Sequence, residues 1–186
     1  MGRPVKILLA GEGGQGVQAV AEIIAAAAYE KGREALYIPN FGIEQRGGVS
    51  LAFVQVGDEP IGPPRFETAD LAIALSDRAV VRSRPYVGPE TTFIYDSSIQ
   101  TNHLPQGVAR LVAVPAIEVS KKELHPRVFN VMILGAVIGL TGVITVEEAK
   151  EAIERRLGHR FEKDPALREL NHRAVERGVE LVKGKL

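Results

Sequence analysis

The stretch Val5-Lys6-Ile7-Leu8-Leu9-Ala10-Gly11-Glu12-Gly13-Gly14-Gln15-Gly16-Val17 decides the fold. Val5 to Ala10 is a short apolar run that ends in glycines, the pattern of a strand covered on both faces. From Val17 to Lys31, residues Val17, Val20, Ala21, Ile24 and Ala28 recur at three- and four-residue spacing, so a helix is predicted there. Gly32 fits its C-terminal stop. Strand, glycine loop and helix form the opening half of a βαβ unit. The strand is expected at the centre of a sheet, with the helix starting near Gly16. At least one of Gly11, Gly13, Gly14 and Gly16 is expected at positive φ, where other residues are strained.

Working outward, Ala35 to Ile38 reads as a second strand stopped by Pro39, and Val49 to Val56 as a third. Only about ten residues join them, while a parallel crossover needs a dozen or more. A mixed sheet is therefore predicted, with strand three antiparallel to a neighbour. Asp70 to Leu75 reads as a fourth strand, followed by Ser76 as the N-cap of a short helix to Ser83. Thr92–Asp96 and Val108–Val114 complete the strands.

The remainder is predicted helical. Arg127 to Leu140 is apolar nearly all round and should be buried. Gly135, Gly139 and Gly142 interrupt it, which suggests close packing on another backbone. Thr145-Val146-Glu147-Glu148 is a capping-box pattern opening a helix to Leu157. Asp164-Pro165 opens a last one to about Val182. The expected fold class is α/β: a three-layer, Rossmann-like, mixed but mostly parallel sheet with flanking helices. Residues 1–186 are expected to form one domain, an α/β layer over 1–122 and a helical tail over 123–186 packed on it.

Composition narrows the function classes. The chain has 186 residues, enough to bury a core without staples. Lys plus Arg and Asp plus Glu are both 23, so the net charge is zero and no nucleic-acid partner is expected. No cysteine is present, which excludes disulfides, a thiol nucleophile, and Cys-ligated zinc or iron–sulfur clusters on this chain. The N-terminal apolar run is too short for a signal-peptide core, and Val128–Leu140 is too short for a bilayer. No membrane partner and a cytoplasmic location are expected.

Gly11, Gly13 and Gly16 match the G-x-G-x-x-G spacing between a strand and a helix. Glycines let backbone approach a ligand closely, and a helix N-terminus offers unpaired N–H groups to an anion. Val17 and Gln18 follow where a P-loop needs Lys and Ser or Thr, which argues against a nucleotide-triphosphate cradle. The acid that a nicotinamide dinucleotide site wants at the end of strand two is missing, since that strand ends Tyr37-Ile38-Pro39-Asn40. The loop Phe41-Gly42-Ile43-Glu44-Gln45-Arg46-Gly47-Gly48 should lie near the first loop, and Arg46 between glycines suits a phosphate or carboxylate. The alternative is a surface arginine in a plain loop. Asn130 is unusual in an apolar helix and needs either a core hydrogen-bond partner or a ligand. Asp96 reads as a site residue or a capped strand end. The four histidines, His103, His125, His159 and His172, show no metal-like spacing, and no Ser/His/Asp arrangement or paired carboxylates emerge. The candidate ligand contacts are thus Gly11, Gly13, Gly14, Gln15, Gly16, Val17, Arg46, Gly47, Gly48 and Asn130, with no catalytic or metal-binding residue.

Four segments in order, Gly11–Val17, Gln45-Arg46-Gly47-Gly48-Val49-Ser50, Asp70–Leu75 and Phe129–Ala136, resemble the gamma subunit of the 2-oxoacid:ferredoxin oxidoreductases. That family includes the pyruvate, 2-oxoglutarate, 2-oxoisovalerate and indolepyruvate enzymes. The resemblance covers about residues 5 to 140 and continues less specifically into the tail. It implies oxidative decarboxylation of a 2-oxoacid, electron transfer through iron–sulfur clusters to ferredoxin, and acyl transfer to coenzyme A. In the family, thiamine diphosphate with its Mg²⁺ lies between alpha and beta subunits, and the clusters lie on cysteine-bearing subunits. This chain would then bind none of these alone. It would assemble with alpha, beta and ferredoxin-like subunits and share in coenzyme A handling through the glycine loop and Arg46, or dock that loop on the alpha subunit. Alone, it is expected to be inactive and to expose a surface that favours a homodimer. The rivals are a free-standing NAD(P)- or FAD-binding protein and a pure scaffold without ligand.

Overall fold

A computed structural model of the chain describes residues 3–41 and 48–185. Strand β1 (Val5–Glu12) runs into a turn and helix α1 (Val17–Glu30). Strands β2 (Glu34–Asn40) and β3 (Val49–Gly57) follow. Next come β4 (Leu71–Ala74), α2 (Asp77–Ser83), β5 (Thr92–Asp96), β6 (Arg110–Val114) and α3 (Ala116–Glu123). The chain ends in α4 (Phe129–Thr141), α5 (Val146–Phe161) and α6 (Pro165–Val182).

The strands form one sheet in the order β2-β3-β1-β4-β5-β6. β3 runs antiparallel to both β1 and β2, while β1, β4, β5 and β6 pair in parallel. The short β2–β3 connection therefore makes an antiparallel pair, as its length requires. β1 has neighbours on both sides, and Ile7 to Ala10 are fully buried.

Alternation along the strands divides the core. Ile7 and Leu9, Ala52, Val54 and Val56, and Leu71 and Ile73 share one face with α1, α4, α5 and α6. Leu8 and Ala10, Leu51 and Phe53, and Ala72 and Ala74 share the other, which is closed by α2 and loop residues. There the Phe53 ring meets Phe66 edge-on at 5.3 Å and Tyr86 at 5.0 Å. Sheet and C-terminal helices share one continuous apolar cluster, so the tail is packed as core.

Glycine sets how close the tail helices come. A Cβ on Gly135 of α4 would strike the Val175 carbonyl of α6 and lie 2.9 Å from Gly178 Cα. A Cβ on Gly178 would strike the Met132 carbonyl in return. Gly142 ends α4 at φ 59°, a left-handed C-cap. The three caps read from sequence are formed: Ser76 accepts from the Ala79 N–H, Thr145 and Glu148 complete a capping box, and Asp164 accepts from the Leu167 N–H.

Helix α5 runs to Phe161, four residues past the expected Leu157, and three further local expectations need correction. Pro39 lies within β2 and does not end it, pairing in register with Ala52. β2 is an edge strand, where a residue without an N–H is tolerated on the open side. The sixth strand starts at Arg110, not Val108. Helix α3, unforeseen, has a proline at its N-cap with no capping side chain. Its start is capped from another strand: the Asp96 carboxylate accepts from the Ile117 N–H at 3.0 Å.

Candidate functional site

The glycine loop lies at the end of the sheet where the parallel strands finish. Its crest, Gly13 and Gly14, is exposed. Gly14 has φ 90° and Gly16 φ 76°, so the positive φ expected from sequence is present at two of the four glycines. Gly16 is the N-cap of α1 and supplies no capping side chain. The first turn of α1 thus has no capping side chain from its own N-cap, and the positive end of the helix dipole lies at this end of the helix.

The loop is held from below. The Gln15 N–H donates to the Glu12 carbonyl at 3.0 Å, closing the turn. The Gln15 side chain accepts from the Glu12 N–H at 2.7 Å and donates to the Leu75 carbonyl at 2.9 Å. Gly11 is buried beneath; a Cβ there would lie 2.7 Å from Val17 Cγ1 and 3.0 Å from Gln15 Oε1. One turn on, Gln18 donates to the Leu51 carbonyl at 3.0 Å and accepts from the Tyr37 hydroxyl at 2.6 Å. These contacts tie the loop and the start of α1 to β4, β3 and β2. Burial raises the Tyr37 pKa, with the Glu22 carboxylate adding to the effect, so its hydroxyl remains a donor.

Asn130 joins the same place from α4. Its half-buried side chain lies directly against Gly16, where any Cβ would collide with it. Asn130 and Gly11, Gly13, Gly14, Gln15, Gly16 and Val17 are thus gathered around the N-terminus of α1, although 113 positions separate Val17 from Asn130. Arg46 and Gly47 lie outside the described residues. Their flanks bracket the same sheet end: Phe41, 69% exposed, follows β2, and half-buried Gly48 precedes Val49, the register partner of Glu12.

Asp96 is a structural carboxylate. It is 1% exposed; one oxygen accepts from the N–H and hydroxyl of Ser98, and the other caps α3. Among the described residues no group of three or more His, Asp or Glu side chains is placed to hold a metal ion. No described helix is long and apolar enough to cross a membrane. Sequence reading missed the tethering role of Gln18 and the exposure of Phe41. Nothing in their local pattern distinguishes either from a surface residue.

The glycine loop, the start of α1 and the Asn130 side chain thus meet at one end of a Rossmann-like α/β layer. Residues 6–181 match the family model for pyruvate ferredoxin/flavodoxin oxidoreductase. The chain is 33% identical over 178 residues to ketoisovalerate oxidoreductase subunit VorA of Methanothermobacter thermautotrophicus, covering 95% of this chain and 36% of that one. It is 32% identical to 2-oxoglutarate synthase subunit KorC of Archaeoglobus fulgidus, covering 84% of this chain and 81% of that one. Among solved structures, the gamma subunit of keto/oxoacid ferredoxin oxidoreductase from Geobacter sulfurreducens superposes with TM-score 0.79 at 28% identity, covering 96% and 98% of the two chains. A 2-oxoglutarate:ferredoxin oxidoreductase from Magnetococcus marinus, with 2-oxoglutarate, coenzyme A and succinyl-CoA bound, superposes with TM-score 0.86 at 26% identity. It covers 98% of this chain and 32% of that one. The chain belongs to the 2-oxoacid:ferredoxin oxidoreductase family as a gamma-type chain. It spans little more than a third of the length of the VorA relatives, 36% and 38%.

Proposed function

We propose that the chain is the non-redox gamma-type subunit of an assembly that oxidatively decarboxylates a 2-oxoacid to an acyl-CoA and reduces ferredoxin. Thiamine diphosphate, Mg²⁺ and the iron–sulfur clusters belong, on this reading, to alpha, beta and ferredoxin-like partners. A chain without cysteine has no thiolate to hold a cluster. The chain contributes an assembly surface and, at its glycine-loop end, a contact for the phosphate-bearing part of coenzyme A.

The observation that carries the second part is the start of α1. Gly16 at φ 76° leaves the first-turn N–H groups without a side-chain cap, beside exposed Gly13 and Gly14. That arrangement suits a phosphate oxygen, because several donors and the helix dipole point the same way. Arg46 would add a charge-assisted hydrogen bond. The missing acid at the end of β2, where Asn40 and Phe41 stand, continues to disfavour a free-standing dinucleotide enzyme.

Two measurements test this reading. Purified alone, the chain should oxidise no 2-oxoacid and bind no thiamine diphosphate, and adding the cysteine-bearing and thiamine-binding partners should produce coenzyme A-dependent turnover. Robust turnover by the chain alone would overturn the assignment. In the assembled protein, Arg46→Ala should weaken coenzyme A binding without unfolding the chain. Unchanged affinity would remove Arg46 from the contact.

A further inference from the structure

Gln15 stands inside the glycine loop, yet both ends of its amide turn to the sheet backbone. Its carbonyl oxygen holds the N–H of Glu12, the last residue of β1, and its NH₂ group holds the carbonyl of Leu75, the first residue beyond β4. β1 and β4 are parallel neighbours whose last register pair is Ala10 with Ala74, and the Leu75 N–H donates to Ala10 at 3.0 Å. The Gln15 amide therefore closes the sheet where its own ladder stops.

We propose that Gln15 is a positioning residue for the phosphate-bearing part of coenzyme A, acting through the shape of the loop and not by touching the ligand. The proposal rests on the coenzyme A contact argued above. Three physical consequences follow from the two bonds. They fix where the crest of Gly13 and Gly14 stands relative to the N-terminus of α1. They occupy the Leu75 carbonyl, whose partial negative charge would otherwise oppose an anion at this sheet end. They also leave the loop with little room to relax, since buried Gly11 is enclosed by Val17 and Gln15 itself. Preformed donors bind an anion better than donors that must first be ordered.

The test uses the assembled oxidoreductase carrying Gln15→Met, which keeps the side-chain length and removes both hydrogen bonds. Amide hydrogen exchange at Glu12 and Gln15 should accelerate. The KM for coenzyme A should rise about tenfold, with kcat at saturating coenzyme A and the KM for the 2-oxoacid unchanged. Unchanged exchange in the loop together with a raised KM would make Gln15 a direct contact and overturn the positioning role. Faster exchange with an unchanged KM, while Arg46→Ala still raises it, would also overturn that role. If neither variant alters the KM, the coenzyme A contact itself falls, and this proposal with it. Should Gln15→Met fail to fold, Gln15→Glu serves instead, because its carboxylate still accepts from Glu12 but offers nothing to Leu75. Its KM relative to the parent should recover as pH falls and the protonated carboxyl regains a donor; a ratio independent of pH would refute the proposal.

Discussion

The side chain of Asn130 rests on the α-carbon of Gly16: a Cβ on Gly16 would lie 3.1 Å from Asn130 Cγ and closer still to its amide nitrogen. The contact locks the first turn of α4 to the N-cap of α1. Two independent reasons therefore hold glycine at position 16, a left-handed backbone at φ 76° and the absence of space. Gly16→Ala should lose about 1–2 kcal/mol from the backbone alone, with the collision adding to it. Removing the obstacle in Gly16→Ala/Asn130→Ala should recover the collision part and leave the backbone part. Urea unfolding of the four-member cycle measures both, and simple additivity would show that the contact carries no energy.

The crossing of α4 and α6 makes an opposite prediction from helix propensity. Ala is favoured over Gly in an isolated helix by about 1 kcal/mol. At Gly135 or Gly178 the added methyl meets backbone of the other helix, which cannot rotate away. Gly135→Ala and Gly178→Ala should each destabilise by about 1–3 kcal/mol. Gly158 of α5, where a Cβ meets nothing within 4 Å, is the control: Gly158→Ala should stabilise. Thermal melts of the three variants decide it.

Arg177 of α6 grips the Glu123 carboxylate at the end of α3 with two bonds, from Nε at 2.8 Å and Nη2 at 3.0 Å. This hydrogen bonding, above all, holds the Glu123 pKa below its ordinary value. A carboxylate lowered on folding adds stability above its unfolded pKa and loses that contribution as pH falls through the folded value. The stability difference between the parent and Glu123→Gln should therefore be present at neutral pH, shrink below the ordinary carboxylate range and vanish in stronger acid. Glu123 is exposed and Arg177 only half-buried, so added salt should shrink it as well. Denaturation at several pH values checks the sign.

Pro39 faces a different demand. β2 is an edge strand with seven consecutive register pairs to β3, and proline removes one N–H from its open side. Pro39→Val should leave unfolding free energy nearly unchanged, because no bond to β3 is lost. It should promote self-association through the restored edge, visible as a larger species in sedimentation. A parent and variant with identical sedimentation would show that the edge is already blocked by other means.

Features that depend on neighbours a few residues apart are legible along the chain. The apolar run into Gly11 defined β1, three- and four-residue spacing defined α1, an all-round apolar stretch marked α4 as a buried helix, and Ser76, Thr145 and Asp164 marked helix starts because each cap bonds an N–H within three positions. The antiparallel β3 was also legible, since a ten-residue connection is too short for a crossover. Tertiary structure alone decided what depends on partners far along the chain. Helix α3 carries no local cap because Asp96, 21 positions earlier, provides it, and Pro39 survives in a strand only because β2 is at the edge. The same holds for the site: the glycine spacing announced a tight turn, but the Gln15 amide is committed to Leu75, 60 positions on, and Asn130 reaches Gly16 only when α4 is packed. Hydrogen bonds and steric contacts act over a few ångströms whatever the chain separation, so periodicity and spacing carry the first kind of information and cannot carry the second.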